Sequence, residues 1–127
     1  MIQEFVDKFM ANKNTLEAQY LKHHPEDYLS IVKDTVRIIG LEPERVHEID
    51  DGDYQGMLLY LLTNNDYQPT EYWYVTVWYG SCSGCDTLQS ICQYSDDPPS
   101  SQQATDYITL ALHIVQGIKR LDTGEII

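Results

Sequence analysis

The chain has 127 residues, which suits one domain that buries a core without covalent staples. Its 20 acidic residues against 8 basic ones give a formal charge of -12 at pH 7, which argues against direct binding to a nucleic-acid backbone, since that needs basic patches. No apolar run is long enough to span a bilayer.

Met1 to Leu21 reads as helix, with Ile2, Phe5, Val6, Phe9 and Met10 in one stripe and Leu16, Tyr20 and Leu21 continuing the burial. Asn14 and Thr15 mark either a break or a few exposed turns. The adjacent His23 and His24 do not face one point on a regular element, so a solvated linker is expected there rather than a metal site. Pro25 fits the first turn of a second helix, which runs to Ile39 with Tyr28, Val32, Thr35, Val36 and Ile39 on its inner face. Gly40 supplies the stop.

Arg45 to Asp50 reads as a short strand, followed by the turn Asp51-Gly52-Asp53. Glu42, Glu44, Glu48, Asp50, Asp51 and Asp53 crowd this stretch. Such a cluster serves as a solvated rim, as a contact for a basic protein, or as oxygen ligands for a hard cation. The spacing does not match the twelve-residue calcium loop. No metal or other cofactor is expected, and the basic-partner reading is carried forward.

Tyr54 to Leu62 is nearly continuous in apolarity and predicts a well-covered strand, closed by the turn Asn64-Asn65-Asp66. The strand from Tyr72 to Tyr79 is aromatic or β-branched on both faces, which predicts a central strand covered on both sides. The alternative is that one aromatic row is open and binds a partner. With ten tyrosines in the chain, homo-oligomerisation through that row or through the first helix is a second expectation.

The aromatic strand runs directly into Gly80-Ser81-Cys82-Ser83-Gly84-Cys85, after which Asp86 caps a short helix with Gln89 closing a capping box. Tyr79, Ser81, Cys82, Ser83, Cys85 and Asp86 form a candidate loop site, because free N–H groups at a helix start favour an anion, a nucleotide phosphate or a thiolate. Cys82, Cys85 and Cys92 are all the cysteines of the chain. They read first as reduced structural thiols. Metal binding, thiol redox and nucleophilic work with His47 or His113 as base are the alternatives. An odd cysteine count and an opening without a signal-peptide pattern predict a reducing cytosol.

Pro98 and Pro99 exclude a regular element from the Tyr94 to Gln102 loop. Ser100 and Gln103 form a capping box for the last helix. Its stripe runs through Ala104, Tyr107, Ile108, Ala111, Leu112, Ile114, Val115, Ile118 and Leu121, with His113 at its boundary and a loose tail after it. The expected architecture is α+β over residues 1–127 as a single domain. N-terminal helices precede a three-stranded antiparallel meander, with a short helix after the cysteine turn and a long C-terminal helix on the sheet.

The strings Ile49-Asp50-Asp51-Gly52-Asp53-Tyr54-Gln55-Gly56 and Tyr79-Gly80-Ser81-Cys82-Ser83-Gly84-Cys85-Asp86-Thr87-Leu88-Gln89 resemble those of small acidic proteins of bacteriophages and other mobile elements. The resemblance extends to Asp106-Tyr107 through Gln116. That family carries no settled activity, so the resemblance implies a setting rather than a mechanism. The setting is a host cytoplasm, in which a small acidic protein inhibits host machinery such as a defence nuclease. With no P-loop, dinucleotide fingerprint or HExxH pattern, the leading expectation is a non-enzymatic protein that engages a basic host protein surface, in the manner of a nucleic-acid mimic.

Overall fold

The computed structural model describes residues 2–50, 56–64, 71–80, 87–92 and 98–121. Helix α1 runs unbroken through Ile2–Tyr20, with no interruption at Asn14. Its core contribution is Phe5, Phe9, Leu16 and Tyr20, whereas Met10 and Leu21 are exposed. The stripe is narrower than expected, because Met10 lies a step of about 100° around the helix from Phe9 and Leu21 falls beyond the last helical turn.

Helix α2 spans Tyr28–Ile38, three residues later than Pro25 suggested. Asp27 is the reason: its carboxylate accepts from the N–H of Ser30 at 2.8 Å and caps the helix there. The stop falls where Gly40 places it. Gly40 has φ +90, the N–H of Gly40 donates to Arg37 O, and the N–H of Leu41 donates to Val36 O at 2.9 Å. That pair of bonds is a Schellman motif, and buried Leu41 and Val36 are its apolar contact. A 3-10 turn over Pro43–Arg45 leads to the sheet.

The sheet has four antiparallel strands in the order of the chain: β1 His47–Asp50, β2 Gly56–Thr63, β3 Tyr72–Tyr79 and β4 Lys119–Arg120. The meander of the first three is as expected. The fourth corrects the count. Helix α3 covers Thr87–Cys92 and helix α4 covers Ser101–Gln116, so α4 stops before Ile118 and Leu121. Gly117 ends it, donating its N–H back to His113 O and Ile114 O, and the chain then returns to the sheet. Lys119 pairs with Tyr74, Arg120 pairs with Trp73, and the N–H of Leu121 reaches Tyr72 O at 2.9 Å.

The start of α4 is built as the sequence predicts. Ser100 Oγ accepts from the N–H of Gln103, and Gln103 Oε1 accepts from the N–H of Ser100. Gln103 Nε2 also donates to Ile91 O, which ties α4 to α3. The helices cover one face of the sheet. Leu58, Tyr60 and Leu62 of β2 and Trp73, Val75 and Val77 of β3 are buried there, and Phe5 of α1 meets Trp73 edge to face at 5.3 Å. Among the described residues the other face has no helix on it. Trp78 is 49% exposed, so β3 is not covered on both sides as its composition suggested. Among the described residues, no helix is long and apolar enough to cross a membrane.

Candidate functional site

Glu48 and Asp50 alternate with His47 and Ile49 along β1, so both carboxylates fall in register with the buried Tyr60 and Leu58 of β2. Tyr60 Oη donates to Glu48 Oε2 at 2.8 Å. Burial first, and that hydrogen bond second, push the Tyr60 phenol well above its ordinary value, which keeps it protonated and donating. Tyr79 reaches farther. Gly56 stands directly opposite it in β2 and offers no side chain, so the phenol crosses β2 and donates to Asp50 Oδ1 on β1 at 2.6 Å.

A second pair of carboxylates arrives from the start of α2. Asp27 Oδ1 accepts from both the N–H and the hydroxyl of Ser30, the geometry of an N-cap, and Glu26 precedes it. Glu26, Asp27, Glu48 and Asp50 line one cleft of about 340 Å³ together with Tyr28, Leu58, Tyr79, Gly80 and Leu88. Tyr28 Oη also accepts from the N–H of Leu88 at 3.1 Å, which fixes the first turn of α3 against α2. Among the described lining residues there are four carboxylates and no basic side chain.

This arrangement offers negative potential over two aromatic walls. A guanidinium or ammonium group entering it finds carboxylate acceptors for its donors and tyrosine faces for its stem. Among the described residues, no group of three or more His, Cys, Asp or Glu is placed to hold a metal ion.

The residues that the sequence singles out separate into three groups. Glu48, Asp50 and Tyr79 meet in the cleft. Glu42 and Glu44 sit at the opposite end of β2: the N–H of Glu42 donates to Thr63 O, the last residue of that strand, and Glu42 Oε1 caps the 3-10 turn by accepting from the N–H of Glu44. Asp51, Asp53, Ser81, Cys82, Ser83, Cys85 and Asp86 lie outside the described residues, and with them the loop-site, thiol and Asp86-cap readings. Cys92 is half-buried at the end of α3. His47 and His113 are exposed on β1 and α4. The histidine pair splits. His23 is exposed, but half-buried His24 places Nδ1 2.6 Å from Tyr107 Oη, so the linker is anchored rather than wholly solvated.

Glu26 and Asp27 are the cleft residues that the sequence reading passes over. Their signal is the cap pattern of Asp27 and Ser30, masked by the proline two residues earlier. In comparisons with known proteins, no family model, no curated protein and no solved structure matches the chain.

Proposed function

We propose that the chain is a small acidic, non-enzymatic binding protein that engages a basic protein surface through the cleft of Glu26, Asp27, Glu48 and Asp50. The observation that carries this reading is the convergence of carboxylates from two distant segments, residues 26–27 and 48–50, on one concavity. Asp27, Glu48 and Asp50 are held in place by Ser30, Tyr60 and Tyr79, so little side-chain freedom remains to be lost on binding. The charge of -12 adds long-range steering toward a basic surface. In the viral setting that the sequence signature implies, the partner is a host cytoplasmic protein. Occupying a surface that holds nucleic acid, such as that of a defence nuclease, inhibits it by competition.

The test separates the cleft from bulk charge. A fluorescent arginine-rich peptide is titrated with the protein at low salt and its anisotropy followed. Glu48→Gln with Asp50→Asn is expected to weaken binding about tenfold, roughly 1.4 kcal/mol. Glu42→Gln with Glu44→Gln removes the same formal charge at the other end of β2 and is expected to change it less than about twofold. Equal losses from the two double variants would show that only net charge matters and would remove the cleft from the proposal.

A further inference from the structure

The outer face of the sheet carries the opposite chemistry to the cleft. Ile49 of β1, Met57, Leu59 and Leu61 of β2, and Tyr74 and Trp78 of β3 lie on it in register, Ile49 beside Leu59, Met57 beside Trp78 and Leu61 beside Tyr74. Ile49 is 43% exposed, Met57 38% and Trp78 49%. Nothing among the described residues packs across this face as a helix does across the other. The strands place no carboxylate on it, although the chain has 20 acidic residues. Both acids of β1, Glu48 and Asp50, fall in the register of the inner face. The ionisable residues at its margins are His47 on β1 and Lys119 on β4.

We propose that two copies of this chain pair through this outer face, sheet on sheet. The charge distribution selects the second copy as the occupant. Two molecules at -12 repel each other over most of their surfaces, and they approach without a desolvated carboxylate only where none is present. A basic partner, by contrast, finds no complementary group here and is drawn to the cleft. An apolar face of aliphatic and aromatic side chains is self-complementary, as a two-fold interface requires, and stacked sheets interdigitate such side chains at about 10 Å. At about 4.8 Å between strands and about 3.3 Å per residue, the four strands present roughly 350 Å² of flat sheet per copy. The two copies together cover roughly 700 Å², below the size of stable specific interfaces, so the dimer is weak and readily reversible, with a Kd on the order of 100 μM.

The pairing has a salt signature opposite to that of the cleft. Screening the mutual repulsion strengthens it, while screening weakens capture of a basic partner. Sedimentation equilibrium from about 2 to 400 μM protein at 50 and 500 mM salt reads both terms. The expected result is a monomer–dimer equilibrium whose Kd falls severalfold at the higher salt. Trp78→Lys and, separately, Ile49→Lys are each expected to raise Kd at least tenfold with an unchanged circular dichroism spectrum, since both side chains are already substantially exposed. Two sites on different strands keep the test valid if one variant folds poorly. A wild-type monomer at 400 μM in 500 mM salt would overturn the proposal. So would a dimer that two folded lysine variants leave intact, because the contact would then lie elsewhere, such as on α1.

Discussion

Trp73 and Trp78 stand five positions apart on β3, on opposite faces of the sheet. Trp73 is 3% exposed and packs edge to face on Phe5; Trp78 is 49% exposed beside Met57. One strand thus supplies the same side chain to the core and to the surface. An apolar residue's role on this strand therefore follows from its face. The helices make one row of β3 structural, and their absence from the other face among the described residues leaves that row available for contact.

The largest expected effect comes from the inner face. Trp73→Ala removes a buried aromatic and is expected to cost about 3–5 kcal/mol in urea denaturation. Trp73→Phe sharpens the point. Among the described residues the buried indole N–H of Trp73 has no hydrogen-bond partner, so Phe loses volume but relieves an unsatisfied donor. Its expected cost is about 1 kcal/mol, well below that of alanine. A loss equal to that of Trp73→Ala would mean that the volume of the second ring, not aromatic contact, sets the packing.

Next is a pH effect confined to the buried side. Burial is the first cause that raises the phenols of Tyr20, Tyr60 and Tyr107 above their ordinary value, and Asp34 and Glu48 add to it at the first two. A raised value in the fold means that the folded chain keeps protons which the unfolded chain releases. The stabilisation is therefore complete below about pH 10, the ordinary phenol value, and is lost as pH rises beyond it. Melting temperature measured from pH 8.5 to 11 should fall steeply above about pH 10. Tyr60→Phe with Tyr107→Phe should flatten that fall. An unchanged slope would show that these two phenols ionise freely in the fold.

Tyr60→Phe alone removes the bond to Glu48 and is expected to cost about 0.5–1.5 kcal/mol. It should also weaken the arginine-peptide contact, because Glu48 then lacks its anchor. The smallest expected effect is that of Trp78→Ala on monomer stability, within about 0.5 kcal/mol. A loss above 2 kcal/mol would break the comparison between the two faces outright.

Local signals in the sequence carry much of this fold. Ser100 with Gln103, and Gly40 with Leu41, act through bonds between near neighbours, so residue type and spacing suffice to predict them. Strand β4 is invisible to that kind of reading. Ile118 and Leu121 extend the spacing of α4, and two residues show no period of their own; only the bond from the N–H of Leu121 to Tyr72 O reveals the return to the sheet. Periodicity also could not settle β3, whose two faces have the same apolar character. At the cleft, alternation along β1 places Glu48 and Asp50 together. The meeting with Glu26 and Asp27 depends on how α2 docks against the sheet, which no local pattern encodes.

The borders of the sheet have a consequence for how the protein behaves when concentrated. β1 is four residues long, each of them exposed, and it carries Glu48 and Asp50; β4 is two residues long and consists of Lys119 and Arg120. Fibrils grow when a long, flat, uncharged strand edge templates the next chain through an uninterrupted ladder. Edge strands this short and this charged supply few such bonds, although among the described residues β4 pairs with only Trp73 and Tyr74 of the eight-residue β3. At neutral pH the charge of -12 keeps neighbouring molecules apart as well. Near the sequence pI of about 4.4 that second protection vanishes, and resistance to fibre growth then rests on the short, charged edge strands.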